Sequence, residues 1–362
     1  MRVLFVIGSM SSGGAERVVS EMSNYWVKRN WSLSILTTNK TKNKQDFYIL
    51  DSRVKRIDIT SLGKMHKAKY FFNLFSNLRD KIKEENPNVV ISFMSGANTI
   101  SIISMLGLKT PLIISDRHNP YTDKVGYFYK KLLYPFSDIL VLQTNAVIEF
   151  YSKIKGLDIE VIPNPISLSP IKEKDISKNT LSKTICAIGR LNIALKGFDL
   201  LIKAFIKISQ KYPDWNLIIL GEGKDRKILE KLIEEYSLQK RITLVGNVDN
   251  PREIIEGAEI FVLSSLEEGF PNVLLEAMSM GLAPISFDCN FGPREIIEDN
   301  KSGILVELGS IDKLSSAMSR LIENKELRNR LGKNAQIRVS KSFYIDKIIQ
   351  QWETLINRVI KK

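Results

Sequence analysis

The sequence predicts an α/β protein built from two doubly wound parallel sheets, and three observations predict it. Short, apolar, β-branched runs alternate with amphipathic helical stretches from one end of the chain to the other. The alternation restarts after a proline-rich break, VIPNPISLSP. At 362 residues the chain is too long for one ordinary core and suits two. Near-continuous apolar strands separated by helices belong to sheets covered on both faces, which is the parallel arrangement.

In the first half the strands read VLFVIG, LSILTT, VVISFM, LIIS and ILVLQ. After the first of them comes GAERVVSEMSNYWVKR, in which Ala15, Val18, Val19, Met22 and Trp26 fall on one helical face. The second half repeats the scheme with TICAIG, LIIL, RITLV, IFVLS and APISF, and with a helix expected from about Phe198 to Gln210. Proline restricts itself and its predecessor, so the break is expected to be an ordered hinge leading into a polar linker, KEKDISKNT. The expected division is a first domain over 1–165, a second over 166–345, and a C-terminal helix over 346–362 packing back on the first. Ligands of such sheets bind at the carboxyl ends of the strands, so two facing domains are expected to enclose a cleft.

Composition excludes several classes. Hydrophobic residues make up 44% and charged residues 26%, as in soluble globular proteins. Cys186 and Cys289 are the only cysteines, far apart and outside any CxxC, which leaves no disulfide framework or zinc site and fits a reducing cytoplasm. The opening MRVLFVIG runs at once into glycine and serine, unlike a signal peptide. No apolar run approaches the roughly 18 residues that span a bilayer. A soluble or peripherally attached protein is expected. The net charge of +13 is uneven: residues 1–165 hold 23 Lys and Arg against 14 Asp and Glu. A basic first half calls for an anionic partner, whether nucleic acid, anionic lipid or a phosphorylated substrate.

Several loops carry candidate chemistry. GSMSSGGAE (8–16) joins the first strand to the first helix, where Gly13 and Gly14 let a ligand approach the backbone and the helix N-terminus favours an anion. It lacks the GxGxxG spacing and the GK[ST] of nucleotide loops. In GRLNIALKGFD (189–199), Arg190 and Lys196 bracket a loop before a helix; a guanidinium fork with a point charge suits a diphosphate. GEGKDRKIL (221–229) is a further glycine turn into a helix. In SSLEEGFPNVLLEAMSMG, Pro271 is expected in the first helical turn and Gly281 just past the helix end. Glu268 then lies in the loop before the helix. Glu276 lies about one and a half turns inside, where a carboxylate can accept two hydrogen bonds from a vicinal diol. Taken singly, each has a plainer reading as a capping or surface charge.

Together GGAERV, GRL…KGFDLLI, LGEGKDRKIL, LVGNVDNP, SSLEEGFPNVLLEAMSMG and GPREII, in that order over nearly the whole chain, resemble the retaining glycosyltransferases of family 4. Within that family the chain is similar to bacterial enzymes of lipid-linked polysaccharide and glycan assembly. The resemblance implies the GT-B fold, with two Rossmann-like domains and a nucleotide-sugar donor held mainly by the second. Arg190 and Lys196 would bind the donor diphosphate and neutralise the leaving group. Glu276 would hold the ribose hydroxyls and Glu268 the sugar hydroxyls, with Phe270, Pro271, Asn272 and Val273 shaping the pocket. Asn247 and Val248 would lie at the base, and Gly13 and Gly14 would approach the diphosphate from the first domain. His118, in ISDRHNPY, would reach the donor sugar, while His66 is left as a surface residue. The spacing from Arg190 to Lys196 is one residue longer than the commonest family pattern.

The expected reaction is transfer of a hexose or N-acetylhexosamine from a UDP-sugar to an acceptor hydroxyl with retention. No metal or other cofactor is expected, because no DxD-like element stands where it would serve one and two cations can carry the leaving charge; no covalent intermediate is expected, because no carboxylate is placed behind the sugar. The acceptor, expected to be a polyprenyl-diphosphate-linked glycan, should meet the basic first domain. KMHKAKYFFNLFSNLRDKIK (64–83) and YFYKKLLYPF (127–136) mix lysines with aromatics, which suits an anionic membrane surface on the cytoplasmic side, although most of these rings are expected to be buried against the sheet. Competing readings are an epimerase or non-catalytic sugar-nucleotide-binding protein of the same fold, and a nucleic-acid binder. The last explains the charge but not the donor-type loops, and no nucleic-acid partner is expected.

Overall fold

The computed structural model describes residues 1–39, 46–59, 67–117, 120–122, 124–167, 182–248 and 250–361. The chain divides into two units: Met1–Pro165 with Asp346–Lys362, and Ile166–Ile345. The linker KEKDISKNT and both histidines lie outside the described residues.

The first unit holds seven parallel strands: β1 (Arg2–Ile7), β2 (Ser32–Thr37), β3 (Lys55–Asp58), β4 (Val89–Phe93), β5 (Leu112–Ser115), β6 (Ile139–Leu142) and β7 (Ile159–Val161). Their order is β3-β2-β1-β4-β5-β6-β7. The helices used below are α1 (Gly14–Lys28), α2 (Lys67–Glu85), α3 (Ser95–Met105) and α4 (Lys124–Leu133). Trp26 of α1 stacks on Phe5 of β1 with centroids 5.9 Å apart and on Trp31 at 4.9 Å, so the predicted apolar face of α1 is the one that is buried.

The second unit holds six parallel strands: β8 (Thr184–Ile188), β9 (Asn216–Leu220), β10 (Ile242–Gly246), β11 (Ile260–Leu263), β12 (Ala283–Phe287) and β13 (Ile304–Val306). Their order, β10-β9-β8-β11-β12-β13, repeats that of the first sheet. Apolar clusters cover both faces, one around Phe205, Leu217 and Phe287 and one around Phe261, Leu274 and Met278. Here α5 (Ile193–Lys196), α6 (Phe198–Ser209) and α7 (Asn272–Ser279) position the candidate site.

The last helix, α8 (Ile345–Ile360), returns to the first unit. Trp352 is fully buried and stacks on Phe93 of β4 at 6.1 Å, and Ile348, Ile349, Leu355 and Ile356 are buried beside it. Glu353 accepts the Trp26 indole N–H at 3.0 Å, and Arg358 reaches Glu160 at 2.8 Å. Among the described residues no helix is long and apolar enough to cross a membrane.

Two sequence expectations need correction. Pro271 is the N-cap of α7 and not part of its first turn; its ψ of 92° is extended, and the helix begins at Asn272. The aromatic stretches are also not mostly buried. Phe71, Phe72, Phe128, Tyr129 and Phe136 are exposed, while Tyr134 is buried. On α4 and just beyond it the inward positions go to Lys130 and Tyr134, which satisfy a buried aspartate, and Phe128, Leu132 and Phe136, two residues either side, are turned out.

Candidate active site

In both sheets the connections reverse direction beside the first strand, leaving a crevice at the carboxyl ends of two neighbouring strands that lead to opposite faces. In the second unit those strands are β8 and β11. The loop after β8 carries Arg190 and Lys196, and the loop after β11 carries Glu268. Topology alone therefore brings together the cations and the carboxylate that the sequence separates by more than 70 positions.

The loops are tied to each other by backbone. Leu266 N–H donates to the Leu195 carbonyl at 2.9 Å, and Ser264 Oγ donates to the Lys196 carbonyl at 2.8 Å. Gly197 lies between α5 and α6 at φ 57°, and a Cβ there would stand 2.4 Å from the Ser264 oxygen. Only glycine permits both the left-handed turn and that approach. A third loop buttresses the first: Ile193 N–H donates to Asp225 Oδ2 at 2.8 Å, and Leu191 N–H to the Glu222 carbonyl at 3.0 Å. The GEGKD turn is thus a support for the Arg190–Lys196 loop. The extra residue between Arg190 and Lys196 sits in a loop that closes as the one-turn helix α5.

Lys196 Nζ lies 2.5 Å from Glu268 Oε1, with the two side chains 23% and 11% exposed. Arg190, earlier in the same loop as Lys196, is exposed. The N-cap of α7, Pro271, makes no side-chain cap hydrogen bond, and a helix N-terminus favours an anion. Glu276 is half-buried one turn further in, between the buried Leu275 and Ala277. Phe270 and Pro271 are buried, and Asn272 and Val273 half-buried. Asn247 is exposed at the end of β10, and Val248 packs on the cluster that contains Leu274.

Sequence reasoning missed the loop after β12. Gly292, at φ 90°, packs so closely that a Cβ would lie 2.6 Å from Pro271 Cδ, so this loop holds the N-cap of α7 in place. Cys289 is buried here, its thiol donating to the Phe291 carbonyl at 3.6 Å. Burial first, and then the charge of Glu268, push this thiol up to about 12. It is therefore neutral at physiological pH and is no nucleophile. The GPREII motif was the available signal for this loop.

The first unit's candidate residues lie apart in sequence and unit. Gly13 is the N-cap of α1 with φ −87°, and the Glu16 side chain folds back over it to accept from Ser9 and Ser11 at 3.4 and 3.2 Å. Gly14 is exposed. His118 lies outside the described residues, although its neighbour Arg117 at the end of β5 is described.

Two Rossmann-like parallel sheets of this order, in two units of one chain, define the GT-B architecture. The chain belongs to the glycosyltransferases: residues 12–169 match "Glycosyltransferase Family 4" and residues 169–338 match "Glycosyl transferases group 1". It is 30% identical, over 99% of both chains, to the GalNAc-alpha-(1->4)-GalNAc-alpha-(1->3)-diNAcBac-PP-undecaprenol alpha-1,4-N-acetyl-D-galactosaminyltransferase of Campylobacter jejuni. Its fold matches sucrose-phosphate synthase from Thermosynechococcus elongatus with a TM-score of 0.85 at 17% identity, covering 100% of each chain. It also matches Anabaena HepE in complex with UDP, with a TM-score of 0.80 at 17% identity, over 99% of this chain and 100% of that one.

Proposed function

We propose that this glycosyltransferase moves a hexose or N-acetylhexosamine from a UDP-sugar, with retention, to a hydroxyl of a polyprenyl-diphosphate-linked glycan in surface polysaccharide or glycan assembly. The observation that carries the reading is the Lys196–Glu268 pair set before the uncapped N-terminus of α7, with Glu276 one turn behind it. Lys196, Arg190 and the helix amides take the donor diphosphate and stabilise the leaving group as its charge develops. Glu276 accepts from the ribose diol, and Glu268 turns from Lys196 to the sugar hydroxyls. Asn247 and Val248 border the base, while Phe270, Pro271, Asn272 and Val273 shape the sugar and phosphate pocket. Gly13, Gly14 and His118 of the first unit keep the donor roles that the family resemblance implies. The departing phosphate assists deprotonation of the acceptor on the same face of the sugar, and no metal takes part. The C. jejuni relative, named for an undecaprenyl-diphosphate-linked acceptor, and the UDP complex of HepE support this choice of partners.

Thermal unfolding in the presence of UDP, GDP, ADP and a panel of UDP-sugars tests the donor site. UDP and one UDP-sugar are expected to raise Tm by mass action, equally with and without EDTA, and less in Glu276→Ala. No shift with any nucleotide at millimolar concentration would refute the donor assignment.

The reading also places the enzyme on the inner face of the cytoplasmic membrane. Phe128 and Phe136 are 69% and 62% exposed, and Tyr129, Lys131 and Leu132 are exposed between them. An outward apolar face with a cation suits the interface of an anionic bilayer. Co-sedimentation with phosphatidylglycerol vesicles is expected to weaken about tenfold in a Phe128→Ser, Leu132→Ser double variant, from the loss of partial burial of two apolar side chains. Equal sedimentation of the variant would remove α4 from the membrane contact.

A further inference from the structure

Lys196 holds the carboxylate of Glu268, and three residues without a role in the donor reading hold the loop that carries it. Phe270, two positions after Glu268, packs its ring against Phe343 with centroids 6.0 Å apart, and both side chains are buried. The backbone of the same loop rests on Gly292, where a Cβ would stand 3.0 Å from the Gly269 oxygen, 3.4 Å from Phe270 Cα and 2.6 Å from Pro271 Cδ. A ring and a glycine therefore anchor the chain immediately after Glu268.

One side chain joins the two anchors. Arg338, in the helix Lys325–Ser342, has its guanidinium carbon 6.0 Å from the Phe343 ring centroid. Its Nε and Nη2 donate to the carbonyls of Ile296 and Glu295, the latter at 2.8 Å, and its Nη1 pairs with Glu298. Glu295 and Ile296 belong to the one-turn helix Pro293–Ile296, whose N-cap is Gly292. A planar guanidinium fork reaches two carbonyls and a carboxylate at once, which an ammonium does not match.

Phe343 is itself fixed. It is the C-cap of the helix Lys325–Ser342, and its carbonyl accepts from the Ile166 amide at 2.9 Å. The Ile345 amide donates in turn to the Ile166 carbonyl at 3.1 Å. Ile166 and Ile345 are the first and last residues of the second unit. The two ends of that unit are thus tied together at the residue whose ring meets Phe270. A ring on a pinned backbone transmits position, because a close-packed interior has little room to yield.

We infer that Phe343, braced by Arg338, is a positioning residue of the donor site: it acts through Phe270 to hold Glu268 where that carboxylate meets the sugar. Only the sugar as the partner of Glu268 rests on the proposed function.

Two substitutions test the assignment. Phe343→Leu keeps an apolar side chain and removes the flat ring, and Arg338→Lys keeps the charge and removes the fork. In the unliganded chain, hydrogen exchange of the amides from Leu266 to Phe270 is expected to speed up in both, while that of β9 stays as in wild type. In calorimetry both variants are expected to bind the UDP-sugar selected by the thermal panel about tenfold more weakly, as a misplaced group does. UDP is expected to bind at least as tightly as to wild type, because a loosened Glu268 competes less for Lys196. A merely structural loss would weaken both ligands together. In a Glu268→Gln background Phe343→Leu is expected to change neither affinity further, since a residue that acts through Glu268 has nothing left to act on. Unchanged exchange in both folded variants, equal loss of UDP and UDP-sugar, or a full additional loss in the Glu268→Gln background overturns the inference. A wild type that binds no UDP-sugar sinks the donor reading instead, and the exchange result then decides the positioning by itself.

Discussion

Lys196→Ala is expected to lower kcat by about 10²- to 10³-fold, the usual cost of removing one preorganised group that stabilises developing charge. The Lys196 ammonium lies 2.5 Å from Glu268, and under the proposed function that carboxylate competes with the donor diphosphate for it. On that reading donor binding exchanges one anion for another at the same cation. Glu268→Gln is therefore expected to separate two ligands in sign. UDP should bind more tightly, because nothing competes for Lys196, whereas sugar transfer should slow, because the carboxylate that reads the hydroxyls is gone. Steady-state kinetics with calorimetry on UDP check both halves. The double variant Lys196→Ala, Glu268→Gln removes the complication of an unpaired, 11% exposed carboxylate and should remain slow. Near-wild-type kcat in that double variant would end the leaving-group role.

Trp352→Ala is expected to cost about 3–5 kcal/mol in the first unit, the range for removing a large aromatic side chain from a packed core. The indole is fully buried against Phe93, in the centre of a sheet to which it is not joined in sequence. Urea unfolding followed by tryptophan fluorescence separates the units, since Trp26 and Trp31 remain in the first unit and Trp215 lies in the second. The expected outcome is a lower midpoint for the Trp26 and Trp31 signal. A midpoint unchanged from wild type would mean that α8 contributes little to that core.

The central strands were legible because burial on both faces writes them as unbroken apolar runs, as in VLFVI and IFVL. The strands that the sequence hid, β3, β7 and β13, are all edges: Lys-Arg-Ile-Asp in β3 has one buried residue, and Ile159–Val161 none. An edge needs an apolar side chain only where something covers it. In the candidate site, Arg190, Lys196, Glu268 and Glu276 could be named because motif spacing ties them to the starts of helices. That Lys196 and Glu268 pair directly was not legible, since their contact depends on strand order. Lys130 shows the opposite failure. Among Tyr, Phe and Lys neighbours it passes for a surface cation, yet it is buried on Asp116, a residue 14 positions earlier on another element. Its neighbours Phe128 and Tyr129 are the ones facing out.

The return of α8 sets an order on synthesis. A nascent chain that has reached Ile345 contains every residue of the second unit but still lacks the helix that fills the core of the first. The earlier-made half must wait at the ribosome with Phe93 uncovered while the later-made half can close. The first unit is thus completed after the second, and its apolar sheet face is the surface for a chaperone to guard until α8 emerges.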